Sequence, residues 1–190
     1  MLKGTRCISE KCALNRKKNP PGQFTSFRRP KLSEYGTQLR EKQKIRRFYS
    51  ITEKQFRNLY EKASRRKGIT GTNLLVMLET RLDSVLYLLN LAASRRQARQ
   101  LVSHGHVTVN GKKVDKPGFQ VHPGDEVAIK ERSKKLSFIR ENLKMNQNAP
   151  HPGWLSLDED SMTGKVMALP ERKDIQLDGN ETLVVELYSK

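Results

Sequence analysis

The sequence predicts an α+β fold: a mainly helical N-terminal domain followed by a module of helices packed on a small antiparallel sheet. Three observations predict it. Apolar residues recur at helical spacing in successive segments up to Val102, residues alternate on either side of Asn110-Gly111, and a second turn, Pro123-Gly124-Asp125, leads into Val127-Ala128-Ile129. The first pattern is a buried helix face; the second and third are a hairpin and a further strand.

The first 32 residues hold Pro20-Pro21-Gly22 and Phe27-Arg28-Arg29-Pro30-Lys31 with little apolar periodicity, which predicts a loop-like basic extension that orders on a partner. Ser33 is placed to cap a helix from Glu34 to about Tyr49, although Gly36 is a weak point. Arg40, Lys42, Lys44, Arg46 and Arg47 leave most of its surface cationic. Thr52 and Gln55 match a capping box for the next helix, whose inner face is Phe56, Leu59, Tyr60 and Ala63. Gly68 stops it after Arg65-Arg66-Lys67, cations that suit the helix dipole and also phosphate contact. Leu74, Leu75, Met77 and Leu78 open another helix, and Leu82, Val85, Leu86 and Leu89 continue the stripe; without convergent polar groups these are core residues rather than a pocket.

Ser94 and Gln97 form a second capping box, opening a helix with Ala98, Leu101 and Val102 on its buried side. Arg95, Arg96 and Arg99 crowd its first turns, where cations oppose the dipole unless an anion binds. After Gly105 the predicted hairpin carries Lys112 and Lys113 at its tip. The cation-rich helix and the hairpin are neighbours in sequence, and together they offer mainly phosphate contacts suited to shaped RNA.

Charge supports a polyanionic partner. Lys and Arg number 37 against 20 Asp and Glu, a formal net charge of +17. The excess is uneven: residues 1–80 carry +14, residues 81–140 carry +7 and residues 141–190 carry −4, so the RNA-facing surface is expected before residue 141. No apolar run is long enough to span a bilayer and Met1-Leu2-Lys3-Gly4 lacks a signal peptide's apolar stretch, which predicts a cytosolic chain. Two cysteines, Cys7 and Cys12, are too few for a disulfide framework.

Several motifs resemble a known family. Arg81-Leu82-Asp83, Ser94-Arg95-Arg96-Gln97-Ala98-Arg99-Gln100-Leu101-Val102, His104-Gly105-His106 and Val109-Asn110-Gly111 are similar to the RNA-binding module named after ribosomal small-subunit protein four. Pseudouridine synthases and tyrosyl-tRNA synthetases carry that module too. The flanking Pro30-Lys31-Leu32-Ser33-Glu34-Tyr35-Gly36, Gln38-Leu39-Arg40-Glu41-Lys42-Gln43-Lys44 and Val184-Val185-Glu186-Leu187-Tyr188-Ser189 resemble the bacterial ribosomal protein family itself, so the resemblance covers nearly the whole chain.

The resemblance implies four regions: a basic extension (1–32), a helical domain (33–80) completed by part of the C-terminal segment, the inserted RNA-binding module (81–140), and a C-terminal segment (141–190) with an acidic stretch and a final strand. It implies a structural constituent of the cytoplasmic small ribosomal subunit that nucleates the 5′ domain of 16S-type rRNA and contributes to translational accuracy. The expected RNA-binding residues are Ser94, Arg95, Arg96, Arg99, His104, Lys112, Lys113, Arg40, Lys42, Lys44, Arg46, Arg47, Arg65, Arg66 and Lys67. Arg28, Arg29 and Lys31 correspond to the basic cluster lining the channel that admits mRNA, with a basic tail touching only rRNA as the alternative. Asp158 and Glu159 are expected to meet a neighbouring protein, with small-subunit proteins five and three as partners. Many family members bind zinc through two cysteine pairs; with only Cys7 and Cys12 of a four-ligand site, no zinc or other cofactor is expected here.

An enzyme needs a site, and the sequence offers no Gly-rich phosphate loop, nucleophile with a matching His, or metal-ligand set. Asp158-Glu159-Asp160 reads as a solvated turn rather than an acid–base pair. A modification enzyme using the same module would need a catalytic domain, but basic helices occupy that space. Binding to anionic lipid or to DNA is the remaining alternative, and no helix combines strong amphipathicity with Trp and Phe in the way a lipid surface favours.

Overall fold

The computed structural model describes residues 4–7, 9–16, 31–145 and 151–189. Its helices are α1 (Ala13–Arg16), α2 (Glu34–Phe48), α3 (Glu53–Ser64), α4 (Thr70–Glu79), α5 (Leu82–Leu88), α6 (Arg95–Ser103), α7 (Ser137–Met145) and α8 (Glu181–Ser189). Short 3₁₀ turns occupy Gly4–Cys7, Glu131–Ser133 and Arg172–Asp174. The strands are β1 (Val107–Val109), β2 (Lys112–Lys113), β3 (Glu126–Ile129), β4 (Leu155–Asp158) and β5 (Thr163–Val166). The fold class is α+β.

The N-caps form at Ser33, Thr52 and Ser94, each of which accepts a hydrogen bond from the backbone N–H three residues on. The return arms of the two expected capping boxes do not form, since Gln55 Oε1 has no partner and Gln97 Oε1 accepts from the Ala93 N–H instead of that of Ser94. The stripe from Leu74 to Leu89 is broken at Thr80–Arg81, so that α4 and α5 are separate helices. Each serves a different core.

One core gathers Ile45, Tyr49, Phe56, Leu59, Leu74, Leu75 and Leu78 with Val184, which α8 brings back from the end of the chain. The other gathers α5 and α6 (Leu82, Leu86, Ala98, Val102) and Leu89, which caps the end of α5, over Val107, Val109, Val127 and Ile129 of the sheet, with Ile139 of α7. Antiparallel strands run in the order β2-β1-β3-β5-β4. Asn110 and Gly111 both have positive φ, 50° and 74°, the backbone that a two-residue hairpin requires. At the centre of β5, Gly164 leaves room for Leu89: a Cβ there would collide with the Leu89 side chain.

Two features depart from the sequence reading. The sheet takes β4 and β5 from beyond residue 140, pairing Val127 with Gly164, so its strands come from both sides of α7. The expected final strand is the helix α8. Val184-Val185 favours strand by propensity, but Asn180 Oδ1 accepts from the Thr182 N–H at the first turn, and Val184 and Tyr188, four residues apart, meet the helical core. Gln38 of α2 donates to Glu186 at 3.0 Å on the adjoining face. Tertiary packing overrides the local preference.

Candidate nucleic-acid interface

The cations expected to bind RNA divide by what they meet. Lys42 and Arg46 both reach Glu53, and Lys42 also lies 5.5 Å from the centre of the Tyr188 ring. Burial pushes the Glu53 carboxyl up, but hydrogen bonds from Lys42 and Tyr188 and the nearby charges outweigh that and hold it below the usual glutamate range. Lys44 pairs with Asp178 at 3.2 Å. These three join α2 to α3 and to the C-terminal segment.

Arg40, Arg47, Arg65, Arg66, Lys67, Arg96, Lys112 and Lys113 are all exposed, and among the described residues none of them forms an ion pair. Arg40 donates only to Gln43 within its helix. Arg65, Arg66 and Lys67 follow α3 in a turn fixed from below by the Asn73 amide, which donates to the carbonyls of Arg66 and Lys67. Uncompensated charge of one sign is the electrostatic basis of attraction to a polyanion.

Helix α6 is where the sequence reading and the structure differ most. Arg96 is exposed as expected. Arg99 is partly covered: it donates to the Ser50 carbonyl at 3.4 Å, just past the end of α2, and lies 3.8 Å from Asp83. Arg95, expected at the centre of the RNA site, is only 9% exposed, with Glu79 Oε1 3.3 Å away and the rings of Phe48, Tyr87 and Tyr49 at 4.2, 4.6 and 4.9 Å. The dipole conflict at this helix start is therefore relieved within the protein for Arg95 and Arg99, by Glu79 and by the carbonyl end of α2. Only Arg96 keeps its charge wholly toward solvent.

Ser94, another expected contact, is buried and turned inward as the cap of α6. His104 ends α6 at the surface, its ring 6.2 Å from that of His106, which bonds Ser133 Oγ through Nδ1. The hairpin returns to the same helix end: Lys113 lies across Gly105, whose φ of +71° and missing side chain make the approach possible. Lys112 and Lys113 occupy the edge strand β2, opposite Val109 and Thr108. Charged edge strands resist pairing with another sheet, so these lysines also protect the edge.

Sequence reasoning missed the group around Arg95. Glu79 accepts from the Tyr49 hydroxyl at 2.7 Å. Burial raises its carboxyl above the usual range even though Arg95 and Tyr49 pull the other way, and burial together with the Glu79 charge raises Tyr49. A signal was present: Glu79 falls inside the apolar stripe of α4 and α5, and a buried carboxylate requires a partner.

Of the remaining site residues, Lys31 is exposed and Arg28 and Arg29 lie outside the described residues. Asp158 is exposed at the end of β4, where its carboxylate accepts from the Ser161 hydroxyl at 2.7 Å; the Ser161 bonds, against a small opposing effect of burial, hold it below the usual aspartate value. Glu159 is half-buried in the same turn. Cys7 and Cys12 are half-buried, and the described residues contain no group of three or more potential metal ligands.

A helical domain joined to a helix-and-hairpin module with exposed, unpaired cations defines a two-domain RNA-binding protein. Residues 1–79 match the ribosomal protein S4/S9 N-terminal domain and residues 80–127 match the S4 domain. The chain is 54% identical over 189 residues to small ribosomal subunit protein uS4 of Thermus thermophilus, an alignment spanning 100% of this chain and 90% of that protein. The uS4 proteins of Thermodesulfovibrio yellowstonii and Acetivibrio thermocellus are 53% and 55% identical with the same coverage. The chain belongs to the uS4 family of small ribosomal subunit proteins. This is a family of structural ribosomal components, not enzymes, and its place is with the small subunit in the cytoplasm. No helix among the described residues is long and apolar enough to cross a membrane.

Proposed function

We propose that this chain is a primary rRNA-binding protein that nucleates folding of the 5′ domain of 16S-type rRNA. The observation that carries the reading is the sorting of cations: Lys42, Lys44 and Arg46 are paired within the protein, whereas Arg40, Arg47, Arg65, Arg66, Lys67, Arg96, Lys112 and Lys113 are exposed without acidic partners. The second group forms the phosphate-binding surface, with Arg99 and His104 at its margin. Phosphate contacts on two domains favour an RNA that is already folded into a junction, because only a shaped RNA presents backbones to both at once.

On the same reading the basic segment Arg28, Arg29 and Lys31 meets mRNA phosphates in the channel that admits mRNA. Asp158 and Glu159 lie on the protein-facing side, toward small-subunit protein five, with protein three as the second neighbour, and this contact influences translational accuracy. No cofactor takes part; the chemistry is charge neutralisation and shape. Purifying the protein from cells under mild ionic conditions and sequencing the bound nucleic acid tests the proposal. Small-subunit rRNA enriched in the 5′ domain is the expected result. Recovery of tRNA, DNA or unrelated mRNA in its place contradicts it.

A further inference from the structure

Arg95 is a buried cation on a helix whose neighbouring cation, Arg96, is exposed. Its guanidinium is enclosed by parts of both domains: Phe48 and Tyr49 at the end of α2, Glu79 at the end of α4, and Tyr87 of α5. Phe48 and Tyr49 are themselves packed edge to face, 5.1 Å between ring centres. Tyr49 belongs to the helical core and Glu79 is buried at the end of α4, which packs in that core, whereas Arg95 begins a helix whose inner face, Ala98, Leu101 and Val102, belongs to the other core. A planar guanidinium suits this place because it stacks on ring faces and bonds a carboxylate at its edge, which a lysine ammonium cannot do together.

We propose that Arg95 is a positioning residue for RNA binding: it locks α6 against the ends of α2 and α4, so that cations of both domains face one RNA, and makes no RNA contact itself. The inference rests on the RNA-binding reading above. One residue on, Arg96 is exposed, and one turn on, Arg99 donates to Ser50 O, so the docking of Arg95 fixes how α6 stands against the end of α2. With the lock released, the docked arrangement becomes one of several, and apparent affinity falls in proportion to its population. Counterion release is unaffected, because no phosphate contact is removed from the docked state.

The test uses the full chain as wild type, Arg95→Gln and Phe48→Leu, all well below their unfolding temperatures. Binding to a small-subunit rRNA junction fragment is measured across a salt series. The separation of the domains is read by spin labels at Lys62→Cys and Lys116→Cys in a Cys7→Ser, Cys12→Ser background. Arg95→Gln is expected to broaden the distance distribution and weaken binding by about tenfold, as when docked molecules fall to roughly one in ten, with an unchanged salt slope. A slope lowered by about 0.7 to 0.9, the share of one phosphate contact, with an unchanged distance distribution would make Arg95 an RNA contact and overturn the proposal. Unchanged affinity would overturn it as well. If Arg95→Gln does not fold, Phe48→Leu decides, since it alters no charge: weaker binding at unchanged slope supports the lock, and unchanged affinity refutes it. Failure of the wild type to bind the junction fragment would instead strike at the RNA-binding reading itself.

Discussion

Asp83 receives two hydrogen bonds from Arg81, at 2.9 and 2.7 Å, and each side chain is only 3% exposed. The pair stands where the chain leaves α4, and Asp83 Oδ1 also accepts from the Ser84 N–H. The Arg81 guanidinium lies against Gly118, while the Leu82 and Asp83 N–H groups donate to Phe119 O and Pro117 O, so the ion pair also holds the loop after the hairpin.

Asp83→Asn keeps the shape and removes the charge, leaving Arg81 buried without a counter-ion. A loss of about 3 to 5 kcal/mol is expected, the range for breaking a buried pair by removing one partner. Urea denaturation checks it. A loss below about 1 kcal/mol, the range of a surface pair, would show that the pair is not sealed from solvent.

Arg172 grips Glu181 through two nitrogens, at 2.6 and 3.2 Å, and so ties the 3₁₀ turn to the start of α8. Burial pushes the Glu181 carboxyl up, but the Arg172 hydrogen bonds and charge prevail and leave it below the usual glutamate value; Glu181 in turn raises Arg172. A carboxyl lowered on folding contributes stability that is present above its unfolded value and lost as pH falls through its folded one. Glu181→Gln should therefore be less stable than wild type at neutral pH, with the two converging in acid. Denaturation midpoints over that range measure the difference, and a gap independent of pH would count against the assignment.

The acidic turn after β4 is organised by Asp158, which accepts from Ser161 Oγ and from the Asp160 N–H. Replacing Asp158 disturbs the turn itself, so the charge is better reversed at Glu159 and Asp160. Glu159→Lys with Asp160→Lys should weaken the proposed contact with small-subunit protein five and leave isolated rRNA affinity equal or slightly higher, since repulsion from phosphate is removed. Crosslinking in assembled subunits checks the neighbour; crosslinks from this turn to rRNA alone would refute a protein-facing role.

If Arg28, Arg29 and Lys31 meet mRNA as proposed, replacing them together with Ala should impair the passage of structured mRNA through assembled ribosomes while rRNA affinity stays within about threefold, because on that reading few phosphate contacts to rRNA are removed. Strand-separation assays on structured mRNA, alongside rRNA titration, separate the two roles. Collapse of rRNA affinity with unchanged unwinding would assign the cluster to rRNA.

Much of the fold was legible because its signals are local. Ser33, Thr52 and Ser94 cap where capping chemistry places them, and Asn110-Gly111 turns where only such residues turn easily. The extra strands β4 and β5 and the helix α8 were not legible, since their pairing depends on partners far along the chain: Gly164 on Val127, and Val184 on the helical core. The site was legible as a set of cations but not as a division among them. Periodicity places Arg95 and Arg96 side by side, yet their separation into a buried residue and an exposed one is decided by Glu79, Phe48 and Tyr49 across a domain boundary.

If unpaired cations on the helix-and-hairpin module bind the phosphates of folded rRNA, the affinity must depend on salt through those side chains. Wild type and the variant Arg96→Gln, Lys112→Gln, Lys113→Gln are titrated with a small-subunit rRNA junction fragment over a range of salt. None of the three side chains supports a core, so the variant should unfold like wild type. The wild-type affinity should fall steeply with salt, and the variant's slope should be shallower by up to about 2 to 3, at roughly 0.7 to 0.9 for each phosphate released. A flat wild-type response, or a variant that binds with unchanged affinity and slope, would contradict the account.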